Sequence, residues 1–303
     1  MSDGSVQISI IPPLRDLGDG FKVRRALPSR EKRTVGPFVF FDHFGPAHFD
    51  AGKGLDVRPH PHIGLATVTY LVNGEILHRD SLGTEQRIKP GEMNWMTAGR
   101  GIVHSERTAA DVRHEASFLC GLQCWVALPQ QHEENEPSFS HTGAADLPWI
   151  EGDGITARLI TGEMFGRRSP VQTLSPMLFV EIQLQPGARL PIAADYLERA
   201  LYPLEGRIEI GGDGMFDAGQ MVVLKPGATI ICTCAGDRPA TLALIAGEPL
   251  DGPRYISWNF VSSSRDRILQ AAEEWRLQKF PAVPHETEFI PLPDTFRGPV
   301  DYP

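Results

Sequence analysis

Two short pairs of potential metal ligands stand out in the sequence. His60 and His62 are separated by one proline, and His104 and Glu106 are separated by one serine. Residues two apart in a β-strand point to the same face of the sheet. If two such strands face each other inside a barrel, three imidazoles and one carboxylate converge, a donor set that suits Fe, Mn, Ni, Cu or Zn. A six-coordinate metal held by these four residues would keep two positions open for oxygen or substrate.

The alternative is that each pair is simply solvated on an exposed strand, which is the more common situation for an isolated His-x-His. The flanking residues argue against it. Residues 64–71, after the first pair, are apolar and β-branched, as in a buried or half-buried strand. Residues 94–101, before the second pair, include two glycines that permit a tight turn. Histidines that enter a buried strand need polar partners, so the two pairs together favour a shared metal.

Other polar residues near these pairs have simpler interpretations. Asp42 and His43 end an aromatic strand and either support the site or cap the strand. We favour the structural role for His43 and leave both roles open for Asp42. His78 lies on a returning strand and is interpreted as a partly exposed strand residue rather than a fifth ligand. His132 and His141 are expected to be solvated.

The composition is that of a globular protein and disfavours several functions. The chain has 303 residues, of which 41% are hydrophobic, and a net charge of -9 from 38 acidic and 29 basic residues. General nucleic-acid binders usually carry a basic surface, so direct nucleic-acid binding is not expected. No window approaches the roughly 18 consecutive apolar residues of a membrane span. Residues 1–5 lack the features of a secretory signal, so we expect a cytoplasmic protein that does not bind membranes.

The four cysteines do not indicate a disulfide framework. They are Cys120, Cys124, Cys232 and Cys234, and they form no Cys-x-x-Cys motif. Cys120 and Cys124 share one face of a predicted apolar strand and are interpreted as core residues. Cys232 and Cys234 could bind a soft metal or form a strained bridge, but ordinary strand positions are favoured.

Many short β-rich segments, separated by 30 glycines and 26 prolines, indicate an all-β protein. The second half of the chain echoes the first. Residues 71–75 resemble residues 203–207, and Lys-Pro-Gly occurs both at 89–91 and at 225–227. The echo indicates two copies of one barrel.

We assign residues 1–150 to an N-terminal metal-binding barrel and residues 151–303 to a C-terminal barrel. No histidine lies between His141 and His285. Where the first copy has its histidine pair, the second has residues 191–195, which include no histidine. We therefore expect one metal, in the first copy only.

One helix is predicted, at about residues 263–280, with Ser263 as its N-cap. Its apolar face at helical spacing consists of Ile268, Ala272 and Trp275. That face is expected to pack against a barrel. The proline-rich tail from Pro281 is expected to lie extended on the surface, and the acidic segment 129–146 is interpreted as an exposed linking loop.

These motifs resemble those of the pirin family, within the bicupins of the cupin superfamily, and the resemblance extends over most of the chain. The segments that carry it are residues 40–44, 60–64, 67–71, 94–106, 121–126 and 245–250. The resemblance implies an all-β fold of two tandem cupin (jelly-roll type) barrels packed face to face, with the metal in the N-terminal barrel.

The ligand set that the resemblance implies agrees with the one reached from spacing. In the family the metal is usually iron, held by three histidines and one glutamate, which correspond here to His60, His62, His104 and Glu106. We expect Fe(II), with Mn, Ni, Cu or Zn as alternatives because intrinsic affinity alone favours Cu and Zn. The family's C-terminal barrel commonly lacks a metal.

The resemblance implies two kinds of function. Some members resemble enzymes that open quercetin with O2, and others are regulatory partners of transcription factors or metabolic enzymes. We favour a quercetin 2,3-dioxygenase-like enzyme that acts on a small flavonol-like substrate and O2 and releases carbon monoxide. Glu106 is then the base that accepts the flavonol hydroxyl proton. The alternative is a non-catalytic metal-bound regulator with a protein partner, and a third is an isomerase or storage cupin using Zn or Mn.

Overall fold

Strands make up nearly all of the regular secondary structure of the described residues, which confirms the predicted all-β class. The computed structural model describes residues 4–16 and 21–299. Its first twelve strands are β1 (Val6–Ile10), β2 (Leu14–Asp16), β3 (Lys22–Leu27), β4 (Phe38–Phe49), β5 (Asp56–His62), β6 (Leu65–Asn73), β7 (Ile76–Asp80), β8 (Glu85–Ile88), β9 (Met93–Thr97), β10 (Ile102–Arg107), β11 (Ser117–Ala127) and β12 (Ser138–Thr142).

A 3-10 turn at Gln130–His132 lies between β11 and β12, and the remaining elements follow β12. They are β13 (Trp149–Gly152), β14 (Ile155–Thr161), β15 (Glu163–Met164), β16 (Arg167–Arg168), β17 (Met177–Leu184), β18 (Arg189–Ile192), β19 (Glu198–Glu205), β20 (Arg207–Ile210), β21 (Met215–Asp217), β22 (Met221–Leu224), β23 (Ile230–Cys234), β24 (Ala240–Gly247), β25 (Tyr255–Ser257), β26 (Phe260–Ser262) and the helix α1 (Arg265–Arg276). Within the described ranges, no helix is long and apolar enough to cross a membrane. The prediction that residues 1–5 lack a secretory signal involves residues 1–3, which lie outside those ranges.

Two compact units share the chain, and neither is continuous in sequence. The first-barrel unit contains residues 44–141 and the chain from residue 250 onward, and the second-barrel unit contains residues 22–43 and 142–249 with the N-terminal strands. The division differs from the sequence-based boundary at residue 150 in two ways: the residues from 250 onward join the first unit, and residues 22–43 with the N-terminal strands join the second. The helix is the reason for the first difference, since it buries its apolar face in the first unit.

In the first-barrel unit the smaller sheet has the strand order β5-β10-β7-β8, and β12, β9, β6, β11 and β4 lie side by side in the larger sheet. Neighbouring strands in the smaller sheet are antiparallel. β10 therefore lies between β5 and β7, and this arrangement places the second predicted ligand pair beside the first.

Helix α1 closes one side of the same unit. Its buried residues are Ile268, Ala271, Ala272 and Trp275. They pack in one cluster with Ile63 of the ligand-bearing segment and Val103 of β10, so the predicted apolar face is confirmed. The helix is shorter than predicted: Ser264, not Ser263, accepts the capping hydrogen bond from the amide of Arg267, and Gln278 has a φ of 53° that ends the helical path.

The second-barrel unit has a seven-stranded sheet of order β1-β22-β19-β24-β17-β14-β13 and a four-stranded sheet of order β18-β23-β20-β21. Its core is apolar. Leu190 and Ile192 of β18, just before and at the start of the segment that corresponds to the first histidine pair, are buried in this core. Cys232 and Cys234 are free thiols in the same core, as predicted for strand positions, and burial raises the pKa of Cys232 to about 12.

A buried ion pair corrects the prediction that the whole acidic segment is exposed. The side chains of Glu133 and Arg254 are 6% and 1% exposed, and Arg254 Nε lies 2.7 Å from a Glu133 oxygen. Glu133 also accepts hydrogen bonds from the hydroxyl of Ser262 and the amide of Ser263. Because Ser263 is bonded to Glu133, the next serine caps the helix.

We predict that Glu133→Gln destabilises the protein by about 3 kcal/mol, since breaking this pair leaves the Arg254 charge without its buried partner. Urea unfolding of the two proteins measures the difference. The matched control is Glu136→Gln, which removes the exposed pair with Arg100 and should cost less than about 1 kcal/mol. Equal stability of all three proteins would contradict a structural role for Glu133.

Candidate metal centre

The pairing of β5 with β10 brings the two predicted ligand pairs together. His104 lies opposite His60, and Ile102 lies opposite His62, in an antiparallel register. β5 is the edge strand of its sheet, where prolines without an N–H are tolerated. The prolines at 59 and 61 can therefore alternate with the two histidines without breaking the sheet.

Three of the four predicted ligands converge. One ligand nitrogen from each of His60, His62 and His104 lies within 4.8 Å of the other two. The ring centroids are 5.0 Å apart for His60 and His62, 4.4 Å for His60 and His104, and 5.0 Å for His62 and His104. All three side chains are buried. The one-residue spacing within the ligand pairs therefore correctly predicted that these three imidazoles converge.

Hydrogen bonds hold the rings with one nitrogen directed away from the backbone. His60 Nδ1 donates to the carbonyl of Arg58 at 2.9 Å, and His62 Nδ1 donates to the carbonyl of Asn259 at 3.1 Å. A neutral imidazole has one N–H, so Nε2 of each ring keeps its lone pair. A backbone partner on the second ring nitrogen is the usual arrangement for a metal-binding histidine.

One ring nitrogen of His104 shows whether a metal fits this site. Its Nε2 is buried and has no hydrogen-bond partner among the described residues. A buried polar atom left without a partner is costly. A divalent metal would satisfy this nitrogen together with Nε2 of His60 and His62, so the donor set fits a transition metal.

Burial keeps these imidazoles in the form that binds metals. It lowers the pKa of His60 to about 4 and the pKa values of His62 and His104 well below the ordinary value of 6.5. The rings also disfavour charge on one another. Because a metal ligand must be deprotonated, the three histidines are ready to bind at neutral pH.

Glu106, the fourth predicted ligand, is not part of the three-histidine group. The register shifts between His104 and Glu106, as at a β-bulge, so Glu106 pairs with Val57 of β5 and with His78 of β7. Its Oε1 lies 3.3 Å from the hydroxyl of Thr69. Burial raises the pKa of Glu106. Its assignment as a ligand stays a prediction.

His78 differs from its predicted role as a partly exposed residue. Its side chain is 4% exposed, and its Nε2 lies 3.0 Å from Asp80 Oδ2. Its ring stacks on Phe139 with centroids 4.5 Å apart and lies 5.3 Å from the ring of His104. The sequence contained a signal for it: His78 and Asp80 have the same one-residue spacing as the ligand pairs and lie on one predicted strand.

The remaining predicted polar residues have structural partners. Asp42 forms a two-point ion pair with Arg25 at 2.9 and 2.8 Å, and His43 Nδ1 lies 3.2 Å from the Tyr202 hydroxyl. These contacts lie within the second-barrel unit and agree with the structural interpretation of His43. His141 is not simply solvated, because its Nδ1 lies 2.8 Å from an oxygen of Asn94 in the first-barrel unit.

The C-terminal tail lies extended and largely exposed, as predicted, and it is hydrogen-bonded to both ligand-bearing strands. The carboxylate of Glu286 accepts hydrogen bonds from Ser105 Oγ and Arg107 Nε, each at 2.8 Å. The amide of Ile290 donates to the carbonyl of Pro59 at 2.8 Å. The tail therefore contacts β10 between its two predicted ligands and β5 beside His60.

The chain contains two cupin units, each built of antiparallel strands, and the first contains the cluster of three histidines. Such a protein is a bicupin. The sequence matches the Pirin family over residues 20–126 and the Pirin C-terminal cupin domain over residues 179–281. It is 50% identical over 285 residues to a pirin-like protein of Caulobacter vibrioides, covering 92% of this chain and 96% of the relative. The chain belongs to the pirin family.

Two further similarities carry an enzyme name. The chain is 39% identical over 261 residues to a Pseudomonas aeruginosa protein named "Putative quercetin 2,3-dioxygenase", covering 86% of this chain and 80% of the relative. It also resembles a crystal structure of quercetin 2,3-dioxygenase from Acinetobacter baumannii, with a TM-score of 0.86, 36% identity, and coverage of 97% of this chain and 98% of that one.

We predict that the wild-type protein binds one divalent transition metal and that His104→Gln lowers its affinity by more than the about 10- to 100-fold typical of losing an outer partner. Metal titration of chelator-treated protein measures this change. His132→Gln is the matched control, because His132 lies outside the cluster and contacts Asn135. Unchanged affinity in His104→Gln would exclude this nitrogen as a ligand.

Proposed function

We propose that the protein is a metal-dependent dioxygenase that opens quercetin or a related flavonol with O2. The observation that carries the proposal is the buried, neutral three-histidine cluster with the unpartnered Nε2 of His104. Such a cluster is suited to hold a metal with positions left for substrates. The similarity to two proteins named as quercetin 2,3-dioxygenases supports a flavonol as the substrate class.

His60, His62, His104 and Glu106 are the residues proposed to hold the metal, with Fe(II) as the first choice and Mn, Ni, Cu or Zn as alternatives. A metal held by these residues would supply Lewis acidity that lowers the pKa of a flavonol hydroxyl. The rest of the chemistry proposed here belongs to side chains of the chain itself.

Glu106 is the proposed base. Burial raises its pKa, which makes the carboxylate a better acceptor for the flavonol hydroxyl proton. A carboxylate has two oxygens, and either could take a proton. Flavonol ionisation then moves one proton from the substrate oxygen to a Glu106 oxygen, and opening of the heterocycle by O2 releases carbon monoxide.

Thr69 is placed to hold that proton on Glu106. Its hydroxyl lies 2.9 Å from Gln123 Oε1 and 3.3 Å from Glu106 Oε1, and a hydroxyl has one proton to donate. When Glu106 is ionised, Thr69 can donate to it. When Glu106 is protonated, the carboxyl can donate to Thr69 while Thr69 donates to Gln123.

An aromatic side chain limits water at one side of the cluster. Trp125 of β11 is 8% exposed, and its ring meets the ring of His62 edge-on with centroids 5.2 Å apart. Exclusion of water strengthens electrostatic interactions within a site. The Trp125 side chain therefore favours an ionised substrate whose charge is balanced by groups of the site rather than by solvent.

We expect O2 uptake and carbon monoxide release when metal-free protein, reloaded with Fe(II), Mn(II), Ni(II) or Cu(II), is supplied with quercetin. His60→Ala should abolish both signals. Glu106→Gln should lower kcat by about 100-fold or more, the usual contribution of a general base. His132→Ala is the control for loss of an imidazole away from the cluster.

Stoichiometric metal binding without O2 uptake under any loading would contradict the enzyme and favour the non-catalytic regulator. Turnover that survives His60→Ala and Glu106→Gln would contradict the proposed site. Comparing the four metals also decides which ion supports the reaction best.

A further inference from the structure

β7 carries a third pair of polar side chains next to the proposed ligands. The side chains of His78 and Asp80 are 4% and 0% exposed. β7 pairs with β10 on the side away from β5, and its Asp80 lies opposite His104. Buried polar groups are expected to have a defined set of hydrogen bonds, and those of this pair lead directly to His104.

The hydrogen bonds form a chain of three groups. His78 Nε2 lies 3.0 Å from Asp80 Oδ2, and His78 Nδ1 lies 3.4 Å from His104 Nδ1. An ionised carboxylate only accepts hydrogen bonds, so Nε2 of His78 must carry that ring's proton. If this ring carries one proton, its Nδ1 is an acceptor, and the proton between the two rings belongs to His104 Nδ1.

This proton placement has a consequence at the other nitrogen of His104. With its proton on Nδ1, the neutral ring keeps a lone pair on Nε2. That nitrogen is the buried atom without a hydrogen-bond partner among the described residues. The stacking of His78 on Phe139, with an interplanar angle of 22°, restrains the ring that accepts the proton.

We propose that Asp80 and His78 are positioning residues that fix the tautomer of His104 and thereby present its Nε2 lone pair to the metal. The proposal rests on the proposed metal centre and adds to it the reason why His104 is competent to bind. His60 and His62 obtain the same tautomer from backbone carbonyls, whereas His104 obtains it from side chains that can be substituted.

The two oxygens of Asp80 contact different groups, so a substitution can change the contact with His78 and keep the contacts with the backbone. Oδ1 accepts hydrogen bonds from the amides of Leu82 and Thr84 at 2.9 and 3.0 Å, whereas Oδ2 contacts His78. In Asp80→Asn the two backbone donors retain the amide oxygen at Oδ1. The new NH2 group then faces His78 Nε2, which must become an acceptor.

The substitution should therefore reverse the direction of both hydrogen bonds in the series Asp80–His78–His104. His78 would carry its proton on Nδ1, His104 Nδ1 would accept it, and His104 Nε2 would become protonated. We expect metal affinity to fall about 10- to 100-fold, as for other losses of an outer-sphere partner. We expect the thermal stability of the metal-free protein to change little, because the turn at Leu82 and Thr84 keeps its acceptor.

The experiment compares wild type, Asp80→Asn and Asp111→Asn, the last being the same chemical change at an exposed ion pair with Arg87. Zn(II) titration gives the affinity of each protein. Ring-nitrogen NMR of 15N-histidine-labelled, metal-free protein reports which nitrogen of His104 is protonated. The expected result is weaker Zn(II) binding and an Nε2–H signal from His104 in Asp80→Asn alone.

Wild-type affinity and an unchanged His104 tautomer in Asp80→Asn would overturn the proposal. If the wild type itself bound no Zn(II), the metal centre would fail, and the metal-free spectra would still decide whether Asp80 sets the tautomer. If Asp80→Asn did not fold, His78→Phe would serve instead, since it keeps an aromatic ring against Phe139 but has no acceptor. It should also weaken Zn(II) binding, and full affinity would again overturn the proposal.

Discussion

The antiparallel pairing of β5 with β10 is the interaction on which the candidate metal centre depends. It places His60 opposite His104, and the two-residue period of β5 brings His62 to the same face. A slip of one residue would turn every side chain of a strand to the opposite face. Contacts on both strands restrain this register. β7 pairs with the other edge of β10, and Glu286 of the tail is hydrogen-bonded to β10. Ile290 of the tail is hydrogen-bonded to β5.

Desolvation gives this centre its chemical character. Three imidazoles taken out of water are held neutral, because a charged ring would be opposed by burial and by its neighbours. Each ring uses Nδ1 for a partner in the protein, and one ligand nitrogen of each ring lies within 4.8 Å of the other two. Burial also raises the pKa of Glu106, so the environment that keeps the histidines neutral also disfavours the charged form of this carboxylate.

The two barrels illustrate how one framework can be filled differently. In the second-barrel unit, Leu190 and Ile192 of β18 are buried in an aliphatic core. In the first-barrel unit, polar side chains from three adjacent strands, β5, β10 and β7, occupy buried positions. Among the described residues, the buried Nε2 of His104 has no hydrogen-bond partner, and a metal would satisfy that atom. Segments distant in sequence support this interior, among them the buried pair of Glu133 with Arg254.

The sequence by itself determined the all-β class, the repeat of the barrel, the family resemblance and the convergence of His60, His62 and His104. These follow from local information: strand periodicity, turn residues and the one-residue spacing of the ligand pairs. Only the tertiary structure decided that His78 is buried behind His104, that Glu133 is an internal anion, and that the C-terminal helix and tail belong to the first-barrel unit. These features depend on contacts between residues far apart in the chain, and the spacing of neighbouring residues carries no information about which distant segments come to lie against them.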